Sequence, residues 1–283
     1  MRSQPSTART LLLRRYSWIT LRVLIAGGLL LAGIAIVFAG LGSNYTFHWA
    51  EALKFLPRFN QGLIVTLELS VLGAILAILI GIVVAIMRLS PWAPIRDLAG
   101  IYIHTFRNLP FLVVVLLFYF GLGNIIEIRR FDLFGQTITS QFIWGVIGLG
   151  VYEASYLGET FRAGIQSVHK SQIDAAYSLG MNYPQVMYHV VFPQALRVIL
   201  PPLTGTLISL VKESSLLFLI GVSELTNAAR QLAIPLRRPY FFEFYSILAL
   251  YYLALVIPLS LLSNWLESRL GISRSQREVH GHG

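Results

Sequence analysis

The sequence contains no cysteine, which rules out a disulfide framework and any thiolate metal site. Charged residues make up only 12% of its 283 residues, where soluble domains carry about 25%. No glycine is followed by lysine, so there is no phosphate-binding loop of the Gly-x4-Gly-Lys-Ser/Thr kind. A zinc-protease helix motif and a nucleophile elbow are missing too, and with them the usual grounds for reading an enzyme. Net charge is +9, yet no basic block alternates with aromatics on a polar background, which argues against nucleic acid as a partner.

Apolar residues fill the space that charge leaves. They account for 55% of the chain, and mean hydropathy is +0.67, values that belong to a membrane protein. Arg2, Arg9, Arg14 and Arg15, with no acid among residues 1–20, mark a cytoplasmic N-terminal tail. The uncharged run Val23–Leu41 covers about 28 Å as a helix, enough for the hydrocarbon core. Secretory signal cores are shorter, about 7 to 15 residues, so we read it as an uncleaved extra helix. Ser43–Gln61 mixes Trp49, Phe55 and Phe59 with Glu51, Lys54 and Arg58, as a segment at the outer interface does; it closes the extra region at residues 21–60.

Residues 61–268 hold five further candidate spans: Gly62–Met87, a third span in chain order from about Ile101 to Leu122, Phe142–Ala163, Val198–Val222 and Phe244–Leu266. The result is an all-α membrane protein of about six transmembrane helices. Pro91 and Pro94 mark a turn, Asn124–Gln141 reads as a polar outer loop, and Pro201-Pro202 and Lys212-Glu213-Ser214-Ser215 predict two breaks in one span. Residues 269–283 form a disordered cytoplasmic tail, where His280 and His282 are unlikely metal ligands. With both termini inside, fourteen basic residues fall at or inside the inner edge against seven outside, the bias expected of this orientation.

Charge inside the bilayer costs about 2.5 to 3.5 kcal/mol per group, so ionisable residues there face a cavity or a partner. Glu68, Glu153, Lys212 and Glu213 all fall within candidate spans. Three carboxylates against one ammonium leave a negative surplus that suits a ligand with a positive group. With Ser214 and Ser215 they are the candidate substrate-path residues. The plain alternative is a salt bridge of Lys212 to Glu153 or Glu68. Glu159 and Arg162, three residues apart, read as a structural pair.

Between two apolar runs lies a segment of different character: Asp174-Ala175-Ala176, three residues, Gly180, nine residues, then Val190-Val191-Phe192-Pro193. A helix start near Gln172, a glycine stop, Pro184 in a new first turn and a closing proline predict two short helices joined at Gly180. An ordinary amphipathic cytoplasmic loop is the plain alternative. The spacing resembles the coupling loop of ABC importer permeases, Glu-Ala-Ala-x3-Gly-x9-Ile-x-Leu-Pro. Its flanks, Glu159-Thr160-Phe161-Arg162-Ala163-Gly164-Ile165-Gln166-Ser167 and Pro193-Gln194-Ala195-Leu196-Arg197, are similar to those of the polar amino acid importers. Lys212-Glu213-Ser214-Ser215 and the apolar run after it are similar to a further segment of that family, whereas Leu109 departs from its usual Arg, Gly or Asn, Thr, Pro pattern.

The resemblance covers about residues 60–266 and implies the family's five-helix core with one helix added at the N-terminus. It implies a permease of the bacterial inner membrane, working with two ABC ATPase subunits, a second identical or similar permease and an extracytoplasmic substrate-binding protein. The coupling loop, here Asp174, Ala175, Ala176, Gly180 and Pro193, would fit a groove on the ATPase. No cofactor is expected on this chain, because ATP would be bound and hydrolysed by the partner subunits. Glu68, where the family often has Gln, leans the substrate toward cationic amino acids. An ion- or proton-coupled transporter using Glu153, Glu213 and Lys212 as a relay is the rival reading.

Overall fold

Aromatic and charged residues open the longest helix. The computed structural model describes residues 46–126, 131–133, 136–234 and 240–270. In it Trp49–Ala52 (α1) and a 3-10 turn at Leu53–Phe55 lead into α2, Leu56–Leu89. Pro57 lies in the first turn of α2, where a missing N–H leaves no bond unmade. The helix passes through positions 60 and 61 unbroken, so the interfacial segment and the first core span form one rod. The 1–20 tail, the 23–41 helix and positions 271–283, with His280 and His282, lie outside the described residues.

The expected span from Ile101 to Leu122 is not straight. It consists of α3 (Ala93–Asn108) and α4 (Phe111–Leu116), the latter continued by a π turn at Leu117–Leu122 and α5 (Gly123–Ile125). The two halves meet at 108°. Pro110 causes the bend: it offers no N–H and forces Leu109 into extended backbone at φ −92°, ψ 140°. Within the stretch read as an outer loop, a small antiparallel hairpin pairs β1 (Phe131–Leu133) with β2 (Gln136–Ile138). Thr139 then caps α6 (Ser140–Gln166), its hydroxyl accepting the Phe142 N–H at 3.3 Å.

Beyond α6 come α7 (Lys170–Ser178), α8 (Tyr183–Val186) and a π turn at Met187–Val191 that merges into α9 (Phe192–Glu213). A 3-10 segment, Ser214–Ile220, precedes α10 (Leu225–Ala233) and α11 (Phe241–Leu270). Only one of the two predicted breaks exists. Pro201 and Pro202 both sit inside a continuous α9, where the Thr204 hydroxyl lies 2.7 Å from both the Pro201 carbonyl and the Ser263 hydroxyl of α11. At the second site the helix does change. Ser214 and Ser215 donate back to the Val211 and Lys212 carbonyls at 2.8 and 2.5 Å, and the segment stops at Gly221 with φ +87°.

Three helical rods among the described residues, Trp49–Leu89, Tyr183–Ile220 and Phe241–Leu270, are long and apolar enough to cross a membrane, and the bent α3–α4 pair makes a fourth. α6 is about 40 Å long but rich in glycine, because its surroundings are other helices rather than lipid. It packs along α2 through residues of small volume: Gly73, Ala77 and Gly81 on one helix, Gly150, Ala154 and Gly158 on the other. The largest core cluster joins Leu69 of α2 and Leu149 of α6 to Val114, Leu210 and Leu217. A second, at the hairpin end, joins Phe59 to Leu225 of α10 and Phe244 of α11.

Gly62 shows how tightly α10 is seated. A Cβ there would lie 2.8 Å from the Leu225 Cα, a backbone atom that cannot step aside alone. Gly62→Ala should therefore displace α10 and cost about 1 to 3 kcal/mol, read as a lower Tm of the purified protein. Gly205→Ala, whose Cβ meets nothing within 4 Å, should leave Tm unchanged or raise it.

Candidate functional site

The predicted substrate-path residues divide into two sites. Glu153 of α6 is 3% exposed and lies beside the half-buried Glu213 at the end of α9. One oxygen of Glu213, Oε2, is buried without a hydrogen-bond partner among the described residues. Ser214 is buried beside the pair in sequence, but its hydroxyl is turned to the backbone. Tyr152, one residue before Glu153, reaches the Tyr156 hydroxyl at 3.4 Å, and the Arg107 guanidinium lies over the Tyr156 ring at 5.1 Å.

Lys212 does not join this group. It is exposed on α9 and forms no ion pair among the described residues, so the salt bridge to Glu153 or Glu68, the plain alternative, is not made. The physical reason is the one step of about 100° that separates neighbours on a helix: with Glu213 turned inward, Lys212 points elsewhere. Glu159 and Arg162 form the expected structural pair, with two hydrogen bonds between guanidinium and carboxylate. Among the described residues, no group of three or more His, Cys, Asp or Glu is arranged to hold a metal ion.

Glu68 belongs to the second site. It is half-buried on α2 and lines a cavity of about 1170 Å³ walled by Ile64, Val71, Phe142 and the Gly221–Ser223 turn. Neither Glu153 nor Glu213 lines this cavity. The single shared cavity expected for three carboxylates is thus two places, because Glu68 lies toward the hairpin end of α2.

The segment singled out between apolar runs forms a knuckle of two short helices meeting at Gly180, where φ is +79°. Most side chains strain in that conformation; glycine does not. Asn182 and Gln185 make a reciprocal capping box at the start of α8, with bonds of 2.9 and 3.1 Å. Ala176, Val186 and Val191 are buried against Val168 and hold the knuckle to the end of α6. Asp174, Ala175, Gly180 and Pro193 are exposed. So are apolar side chains that have no place in water: Leu179 is 80% exposed, Tyr188 70% and Tyr183 65%.

Glu224 escaped the sequence reading. It is fully buried at the N-terminus of α10, in the connection between two spans, where its carboxylate accepts the N–H groups of Thr226 and Asn227 at 2.8 and 2.7 Å. The Tyr252 hydroxyl donates to it at 3.1 Å, and the neighbouring Leu225 N–H donates to Thr66 of α2 at 3.2 Å. The sequence did carry a signal: Ser223-Glu224, then Leu225, Ala229 and Ala233 at helical spacing, is an N-cap followed by an amphipathic turn.

Long apolar helices gathered round a buried carboxyl pair, with a helical knuckle at one end, define a membrane transport subunit. Residues 77–272 match the family of binding-protein-dependent transport system inner membrane components. A probable glutamine ABC transporter permease protein of Bacillus subtilis, GlnM, is 36% identical over 75% of this chain and 93% of its own. The glutamate/aspartate import permease protein GltK of Escherichia coli is 32% identical over 65% and 82%. The arginine transport system permease protein ArgU of Corynebacterium glutamicum is 32% identical over 76% and 70%. Among solved structures, an amino acid ABC transporter with histidines matches with a TM-score of 0.69 and 36% identity, over 80% of this chain and 100% of that one. The MetNI methionine ABC transporter, at 17% identity and a TM-score of 0.62, shares the fold. The chain belongs to the binding-protein-dependent inner membrane components and, within them, to the amino acid ABC permeases.

The Glu224 cluster has a pH signature. Burial pushes its carboxyl up to about 7, against the opposing pull of the two N–H bonds. A folded-state value above the ordinary one of about 4.5 means that the folded protein binds the proton more tightly. Its contribution to stability is then fullest below pH 4.5 and is lost as pH rises through about 7. Thermal unfolding should show that component of Tm falling across this window, and Glu224→Gln should flatten it.

Proposed function

We propose that this chain is the permease subunit of an ATP-driven importer for a polar amino acid, with a lean toward cationic ones. Its permease domain, residues 61–268, forms the translocation path with a second identical or similar permease. Two ATPase subunits bind the ATP, and an extracytoplasmic binding protein delivers the substrate. In this reading the knuckle end of the bundle is cytoplasmic, both termini are inside, and the hairpin end faces out into the periplasmic or external space.

The observation that carries the proposal is the knuckle itself. Its buried side fixes it to α6, while its free side presents Leu179, Tyr183 and Tyr188 beside Asp174. An exposed apolar patch on a helix pair that is otherwise polar suits a protein groove, and family membership names the class of partner. Closure of the ATPase pair on ATP would push α7 and α8. The push would pass through Val168 to α6, which bears Glu153, and through the π turn to α9, which bears Glu213. A carboxyl pair split between two helices is therefore sensitive to their relative movement. Glu153 and Glu213 can accept a substrate ammonium when the helices hold them together and release it when they separate. The ion-coupled alternative would need Lys212 as its third member, and Lys212 makes no ion pair with Glu153 or Glu213 among the described residues.

Two tests follow. In proteoliposomes holding permease, ATPase and binding protein, Leu179→Asp with Tyr183→Asp should lower ATP-dependent uptake by about tenfold or more without lowering permease levels, since a buried apolar contact replaced by charge costs several kcal/mol. Gradient-driven uptake by the permease alone would overturn the reading. Glu153→Gln and Glu213→Gln should each impair uptake while the assembled complex still purifies; full transport by both would remove the pair from the path.

A further inference from the structure

Glu68 is the ionisable group that the mechanism above leaves unused. It forms no hydrogen bond or ion pair among the described residues, and it is the only charged side chain lining its cavity. The wall around it is aliphatic, from Ile64, Leu67, Val71 and Leu72, with neutral polar groups from Gln61, Gln141 and Ser223. Among the described residues no basic side chain lines the cavity to offset it. A lone carboxylate among aliphatic side chains is costly unless water or a cation reaches it, less so toward the membrane edge than at its centre. A cavity of about 1170 Å³ is more than wide enough for an amino acid with a long side chain.

Position gives the site its meaning. Glu68 stands about 9 Å along α2 from Gly62, near the hairpin end, whereas Glu153 is deep in α6. A substrate released at the hairpin end meets Glu68 first and the Glu153–Glu213 pair later. Every amino acid carries an α-ammonium, which the inner pair can serve. A second carboxylate placed earlier adds attraction for a second positive charge. It does so in a cavity with low-dielectric walls, where the attraction between opposite charges is stronger than in water.

Resting on the amino acid importer reading, we propose that Glu68 is a specificity-determining residue that favours substrates with a cationic side chain, a guanidinium or second ammonium, over neutral and acidic ones. The Gly221–Ser223 turn forms part of the cavity wall and directly follows the 3-10 segment that begins after Glu213.

The experiment compares wild type, Glu68→Gln and Glu68→Lys as the complete complex in proteoliposomes. Labelled arginine, lysine, glutamine and glutamate are offered singly and in competition, with binding of arginine to the detergent-solubilised complex lacking binding protein as a second readout. Glu68→Gln is expected to lower arginine and lysine uptake about tenfold relative to glutamine, and to weaken arginine binding by a similar factor. Glu68→Lys should reverse the charge preference in favour of glutamate. Equal loss for all four amino acids would mean that Glu68 contacts a partner subunit instead, and would overturn the proposal, as would no change for any. A wild-type complex that moves no amino acid would sink the importer reading itself, a failure distinct from either.

Discussion

The close approach of α2 and α6 is the constraint on which the rest of the architecture depends. Helices in lipid gain little from burying apolar surface against each other, so they associate by dispersion contacts that need near-touching backbones. Residues of small volume recur every four positions on both partners, Gly73, Ala77, Gly81 and Ala85 on α2 and Gly150, Ala154 and Gly158 on α6. At Gly158 a Cβ would sit 2.7 Å from Val84 Cγ1. Both helices run from the hairpin end to the knuckle end, and their contact fixes where everything else attaches. Glu153 lies one position before Ala154, at the edge of this seam, and is kept from lipid by it.

Irregular backbone appears where the bundle needs to turn or move. Leu109–Pro110 folds α3 against α4, Ser214–Gly221 carries the chain from the inner carboxyl pair to the outer cavity, and Gly180 makes the knuckle. Each break has a local chemical cause: a missing N–H, serine hydroxyls competing for helix carbonyls, a left-handed glycine. Between the breaks lie rods, so motion applied at the knuckle has few places to be absorbed before it reaches Glu153 and Glu213.

Much of this was legible from residue pattern because lipid simplifies the code. Apolar length located the helices that became α2, the α3–α4 pair, α9 and α11, whereas the glycine-rich α6, read as a span at Phe142–Ala163, is not apolar enough to stand out as one; Gly180, Pro184 and Pro193 marked the knuckle with its two helices. Other features need distances that no linear pattern contains. The bend at Pro110 was hidden inside a long apolar run, where hydropathy reports composition and not direction. Conversely, Pro201-Pro202 predicted a break where α9 runs on unbroken. Pairing of Glu153 with Glu213, and the exclusion of Lys212 and Glu68 from that pair, depends on how α6 and α9 are rotated about their axes. The four-residue spacing of small side chains on α2 and α6 was readable in principle and would have predicted which helices touch.

The charges also explain why such a path needs an outside source of work. On the proposed orientation, a carboxylate stands near the outer end and a carboxyl pair stands deeper. At the inner end Arg88, Arg107 and Arg162 all act on Glu159. That ordering draws a cation from the outer end toward the pair and opposes its approach from the inner mouth. A fixed field, however, returns on the way out what it gives on the way in, so it sets occupancy and selectivity but cannot move solute uphill. Net import requires the affinity of the pair to change within each cycle, and the change has to be imposed by something that binds and lets go. The chain has no nucleotide loop with which to do so. What it has is a rigid knuckle attached to both helices that bear the pair, with an apolar face left uncovered.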